Sequence, residues 1–90
     1  MSKNVLKELI ERSDYVKTFF HMTGGDGFPA FNTISGQELE EWLADIKALF
    51  IQIKSDSLTD IIIDLTDSFN GWSDKKNFEK LTASLKAVYK

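Results

Sequence analysis

The stretch Ile34–Ile53, ISGQELEEWLADIKALFIQI, decides the fold class of this chain. Its apolar residues recur at three- and four-residue spacing, which is the period of an amphipathic α-helix with one buried face. The residues of this face are Leu39, Trp42, Leu43, Ile46, Leu49, Phe50 and Ile53. The pattern predicts a helix over about 36–54, and it places Trp42 in the core.

The start of this helix carries two further signals. Ser35 and Glu38 fit a capping box, in which each side chain accepts a hydrogen bond from a backbone N–H at the helix start. Ile34 and Leu39 have the spacing of a hydrophobic staple across the same turn. Both signals predict that the helix begins just after Ser35.

Three other segments, about 3–22, 58–69 and 74–89, have helical patterns as well. The segment Ile61–Ile63 also fits a short buried strand, but helix is favoured because no second strand candidate exists to pair with it. The sequence therefore predicts an all-α fold, a compact antiparallel four-helix bundle formed by one domain over 1–90. The expected core contains Leu9, Phe20, Leu43, Ile46, Phe50, Ile62, Leu65, Leu81 and Leu85.

The connection over 23–34, TGGDGFPAFNTI, is predicted to be a long loop. Its glycines do not match a phosphate-binding loop, because neither the Gly-Lys-Ser/Thr ending nor a preceding strand is present. The loop also carries Phe28 and Phe31. These two side chains either close one end of the bundle or contact a partner.

Composition excludes several classes of site. The chain of 90 residues has no cysteine, which rules out disulfides, thiolate zinc sites and a cysteine nucleophile and predicts a cytoplasmic location. No apolar run approaches the roughly 20 residues that span a bilayer. The net charge of −3 argues against nucleic acid or an anionic membrane as a partner. His21 is the only histidine, and it is predicted to be a surface or capping residue.

Charge is distributed unevenly along the chain. The middle is acidic and the last sixteen residues are basic, with five lysines. Asp56, Asp60, Asp64 and Asp67 recur at helical spacing and form an acidic stripe. The stripe is either a solvated face partly paired with lysines of the last helix, or a docking face for a basic partner. Trp72, in a turn after Asn70-Gly71, either covers the base of the bundle or is an exposed anchor.

Two segments, Leu39-Glu40-Glu41-Trp42 and Phe78-Glu79-Lys80-Leu81 continuing to Leu85, support a resemblance. The chain resembles the small N-terminal α-helical domains of bacterial multidomain proteins of the phage-defence and abortive-infection type. The resemblance covers roughly half of the chain, and the effector part of such proteins is absent from it. It implies an assembly or sensing role in a defence or prophage system, and it implies no activity.

No catalytic, cofactor or metal constellation is recognisable, so the sequence predicts a protein that is not an enzyme. The first hypothesis is a protein–protein interaction or oligomerisation module. The second is a small acidic inhibitor or immunity-type protein that blocks a basic site on an enzyme. The predicted partner-binding residues are Phe28, Phe31, Trp72, Asp56, Asp60, Asp64 and Asp67.

Overall fold

The computed structural model describes residues 3–53 and 57–89. The prediction of an all-α bundle is wrong, because a two-stranded antiparallel hairpin lies between the first and second helices. In chain order the described elements are α1 (Lys3–Val16), a 3-10 turn (Lys17–Phe19), β1 (His21–Gly25), β2 (Phe28–Thr33), α2 (Gln37–Ile51), α3 (Ser57–Thr66) and α4 (Asp74–Tyr89).

The segment predicted as a loop forms the hairpin. Asp26 and Gly27 make its turn with φ values of 51° and 97°, and positive φ at both central residues is the mark of a type I′ turn. Thr23 lies opposite Phe31, and the register shifts after it. Asp-Gly between two apolar runs is a strong local hairpin signal, which the assignment of a loop overlooked. The helix predicted over about 3–22 also overlaps the first residues of β1, His21 and Met22.

The first helix ends earlier than predicted, at Val16 instead of about residue 22. The chain then makes one 3-10 turn and becomes extended at Phe20, with φ −65° and ψ 138°. Residues 15–21 are mainly β-branched and aromatic, and these residue types have lower helix propensity than those before them. The apolar residues after Val16 extended the helical pattern in the sequence, but the helix itself ends at Val16.

The predicted capping box is not formed. Gly36 is the N-cap of α2, with φ 118° and ψ 174°, and no side chain caps the helix. This backbone conformation is accessible almost only to glycine. Ile34 and Leu39, the predicted staple residues, are both buried in the core.

The four helices form a closed ring of contacts in which α1 packs on α2, α2 on α3, α3 on α4 and α4 on α1. Six of the nine predicted core residues are buried, namely Leu9, Ile46, Phe50, Ile62, Leu81 and Leu85. Phe20, Leu43 and Leu65 are only partly buried and pack against that core. Trp42 is completely buried, as predicted, and its Nε1 donates a hydrogen bond of 2.9 Å to the backbone oxygen of Leu9. The isoleucine triplet lies within α3, as predicted.

The hairpin stands against one end of this ring. Among the described elements, β1 contacts only β2, and β2 in turn contacts α4. The molecule is accordingly elongated, measuring 47 × 24 × 21 Å. Most residues of the hairpin are exposed.

Candidate interaction surface

Two of the predicted partner-binding residues lie against each other. The rings of Phe31, on β2, and Trp72, in the α3–α4 connection, are stacked with centroids 4.4 Å apart and planes 20° apart. Trp72 remains 69% exposed, whereas Phe31 is half-buried. We call this pair the aromatic surface. Of the two predicted positions for Trp72, the structure therefore shows the exposed one.

The backbone around Trp72 is held by the side chain of Asn70. Its Oδ1 accepts hydrogen bonds from the backbone N–H groups of Trp72 and Ser73, both at 3.1 Å. This is a local Asx turn, in which an Asn side chain replaces a backbone acceptor. Gly71 has a φ of 95°, so the turn also uses a conformation that favours glycine. The exposed indole is therefore attached to an ordered turn.

Asp74 joins this turn to the hairpin. Its Oδ1 accepts hydrogen bonds from the backbone N–H groups of Asn70 and Gly71, both at 2.9 Å. Its Oδ2 accepts from the Thr33 hydroxyl at 2.9 Å and from the Ile34 N–H at 3.2 Å. Because β2 and the α3–α4 turn share one acceptor, the positions of Phe31 and Trp72 relative to each other are fixed.

Asp74 is almost completely buried, at 1% exposure. Burial by itself would raise the pKa of its carboxyl group. The hydrogen bonds from Gly71, Ile34, Thr33 and Asn70 outweigh burial and leave the pKa below 3.8. Asp74 is thus an anion at neutral pH. Asp74 was not identified as a site residue from the sequence, although an Asp in the first turn of a helix is a recognised signal.

Phe28 is separate from the aromatic surface. It is 74% exposed at the start of β2, and Met22, on β1, is 61% exposed. Phe28 pairs with Gly25, beyond the register shift that separates this pair from the pair of Thr23 and Phe31. Three steps along β2 lie opposite only two steps along β1 in this interval, so the regular alternation of side chains between the two faces is interrupted between Phe28 and Phe31.

The residues of the acidic stripe differ in their surroundings. Asp60 and Asp64 are exposed on α3, and Asp56 lies outside the described residues. Asp67 forms an ion pair of 3.1 Å with Lys47 on α2. One interpretation of the stripe paired its aspartates with lysines of the last helix, but the cation that pairs with Asp67 comes from α2.

The lysines of α4 face a different part of the molecule. A groove of about 290 Å³ lies between α1 and α4 beside the hairpin, and Lys17, Lys75 and Lys86 are among its lining residues. We call it the lysine groove. The basic bias of the last sixteen residues was the sequence signal for this site, but the contribution of Lys17 was not predictable from that bias.

His21 lies on β1 and is exposed, with its Nδ1 3.4 Å from the backbone oxygen of Phe19. It is therefore a surface residue, one of the two predicted roles, and it lies on a strand rather than capping a helix. Within residues 3–53 and 57–89, no group of three His, Asp or Glu side chains could hold a metal ion. No helix in the described part of the chain is long and apolar enough to cross a membrane.

Comparison with protein-family models, with curated proteins and with solved structures found no match to this chain.

Proposed function

We propose that this chain is a non-enzymatic protein–protein interaction module that binds through the aromatic surface formed by Phe31 and Trp72. The observation that carries the proposal is the 69% exposure of an indole that is stacked on a second ring and attached to an ordered turn. Tryptophan is enriched among residues that contribute most to binding energy. An aromatic group that is already ordered loses little conformational entropy on binding.

The arrangement of carboxyl groups supports binding over catalysis. In the described residues, Asp74 is the one buried carboxylate, and both of its oxygens accept hydrogen bonds from the hairpin and the α3–α4 turn. A general base needs a free lone pair directed at a substrate. Asp74 is instead a structural acceptor that holds the aromatic surface together.

The acidic-inhibitor hypothesis receives less support. It needs a row of unpaired carboxylates, but Asp67 is paired with Lys47, and Asp45 is paired with Arg12 at 2.8 Å. The proposed module belongs to the cytoplasm, in keeping with a chain that lacks cysteine. A role in a bacterial defence or prophage system, suggested by the resemblance of its helical segments, stays a prediction.

The test compares two variants in the intact chain. Trp72→Ala removes the exposed indole, and Ile51→Ala is the matched control because Ile51 is 61% exposed on α2, outside the aromatic surface. Cross-linking in the source cells followed by mass spectrometry identifies bound proteins, and sedimentation equilibrium measures self-association. We expect Trp72→Ala to abolish the contacts and Ile51→Ala to retain them. Equal partner recovery with both variants would refute the proposal.

A further inference from the structure

We infer that the partner is a protein segment rich in Asp or Glu with interspersed apolar side chains, docked along the lysine groove and onto the aromatic surface. This inference rests on the proposed function and names the chemistry of its partner. The partner's charge is opposite to that in the interpretation of the acidic stripe as a docking face, which called for a basic partner.

The lysine groove combines an apolar floor with a cationic rim. Phe20 and Phe78 meet edge to face in its floor, with ring centroids 5.3 Å apart. Lys17 begins the 3-10 turn that follows α1, while Lys75 and Lys86 lie on α4. Apolar side chains of a partner can pack on the rings while its carboxylates meet the ammonium groups.

The ammonium groups of this rim form no ion pair with another described residue. The ion pairs between described residues use Lys7, Arg12 and Lys47, all outside the groove. No described carboxylate lies within 4.0 Å of the ammonium groups of Lys17, Lys75 or Lys86. A carboxylate supplied by a partner can therefore pair with these lysines without displacing an ion pair between described residues.

The groove continues into the aromatic surface. A second hollow is lined by Phe31, Trp72 and Lys76, and it shares Asn32, Lys75 and Glu79 with the groove. Lys75 therefore stands between the two hollows. One extended segment can contact both Trp72 and the groove, so the two sites form one continuous surface.

The charges of this surface favour an acidic peptide over a nucleic acid. Asp14 and Glu79 line the groove among its lysines, and the whole chain has a net charge of −3. A uniformly charged phosphate backbone would be repelled by these carboxylates and by the acidic remainder of the molecule. A peptide can place its acidic residues beside the lysines and apolar residues beside the rings.

The experiment selects a phage-displayed library of random peptides on the intact chain and measures enriched peptides by fluorescence anisotropy. We expect enriched peptides to carry an excess of Asp and Glu and at least one apolar residue. Lys75→Glu and Lys86→Glu should each weaken their binding about tenfold. Lys80→Glu is the matched control, because Lys80 is exposed on the same helix but lines neither hollow. It should change affinity less than about twofold.

The outcomes separate this inference from the proposed function. Neutral or basic peptides whose binding disappears in Trp72→Ala would overturn the acidic partner and leave the interaction module standing. Acidic peptides that respond to Lys75→Glu but not to Trp72→Ala would support the groove and refute the aromatic surface as anchor. Equal effects of Lys75→Glu and Lys80→Glu would overturn the groove. Binding of single-stranded oligothymidine as tight as that of the peptides would replace the inferred partner with a nucleic acid.

Discussion

The hydroxyl of Thr33 donates a hydrogen bond of 2.9 Å to Oδ2 of Asp74, across 41 positions of the chain. This bond joins the last residue of β2 to the first residue of α4. Because Oδ1 of the same carboxylate holds the turn that carries Trp72, one buried anion determines how the hairpin meets the helices.

Replacement of Asp74 by Asn should destabilise the fold by about 1–3 kcal/mol at neutral pH. An amide nitrogen on the Oδ2 side would face the N–H of Ile34, so two donors would oppose each other. Urea denaturation measures the change. Asp45→Asn, which alters an exposed ion pair, should cost less than about 1 kcal/mol. Equal losses for the two variants would contradict the structural role of Asp74.

Acid should reduce the difference in stability between the natural chain and Asp74→Asn. The pKa of Asp74 is lower in the folded chain than its ordinary value of 3.8. The unfolded state therefore binds its proton first as pH falls, and stability declines from about pH 3.8 downward, through the folded pKa. The stabilisation is complete above this range. Urea denaturation as a function of pH measures the difference, and a difference that widens in acid would contradict the depressed pKa.

Gly36→Ala should destabilise the fold by about 1–3 kcal/mol, because its φ of 118° and ψ of 174° strain any residue with a Cβ. Ser35→Ala is the control and should change stability by less than about 0.5 kcal/mol, since no side chain caps α2. Thermal denaturation measures both variants. The opposite ranking would show that Ser35 caps the helix after all.

Trp42→Ala should cost about 3–5 kcal/mol, because the ring is fully buried and packs on Phe78 at a centroid distance of 5.2 Å. The change also removes the hydrogen bond to the Leu9 carbonyl. Trp72→Ala should cost only about 1 kcal/mol, the stabilisation given by an aromatic pair. Urea denaturation of both variants tests this order. Similar losses would contradict the different burial of the two indoles.

Gly24→Ala should disrupt the hairpin more than Gly25→Ala does. Both glycines have positive φ, at 103° and 113°, so both substitutions introduce backbone strain. A Cβ at Gly24 would also lie 2.6 Å from the backbone oxygen of Pro29, whereas one at Gly25 meets nothing within 4 Å. Amide hydrogen exchange within β1 and β2 measures the loss of pairing. Equal exchange rates in the two variants would contradict this clash.

The sequence predicted the parts of the fold that depend on local periodicity. The apolar face of α2 and the buried Trp42 both follow from repeats of three and four residues. The sequence-based prediction failed where a short stretch of residues was compatible with two local backbone structures. Asp26-Gly27 was assigned to a loop although it also fits a hairpin turn, and Ser35 was assigned as a cap although Gly36 takes that place.

The candidate site was only partly predictable for a related reason. Phe31 and Trp72 were identified because they are aromatic residues in segments predicted to be a loop and a turn. Nothing in the sequence indicated that their rings lie 4.4 Å apart. The stripe of aspartates was visible as a helical period, yet the partner of Asp67 turned out to be Lys47 on another helix. Contacts between distant segments depend on how the elements pack, and helical period alone does not specify that.

By itself the sequence determined that amphipathic helices would bury one apolar face, because periodic hydrophobicity acts along the chain and needs no distant partner. Tertiary structure alone decided that Asp74 would receive donors from two separate segments and that Lys17 would join Lys75 and Lys86 around one groove. A buried carboxylate and a groove both require groups from distant positions to meet in space. That meeting is set by the packing of the whole core, to which every element contributes.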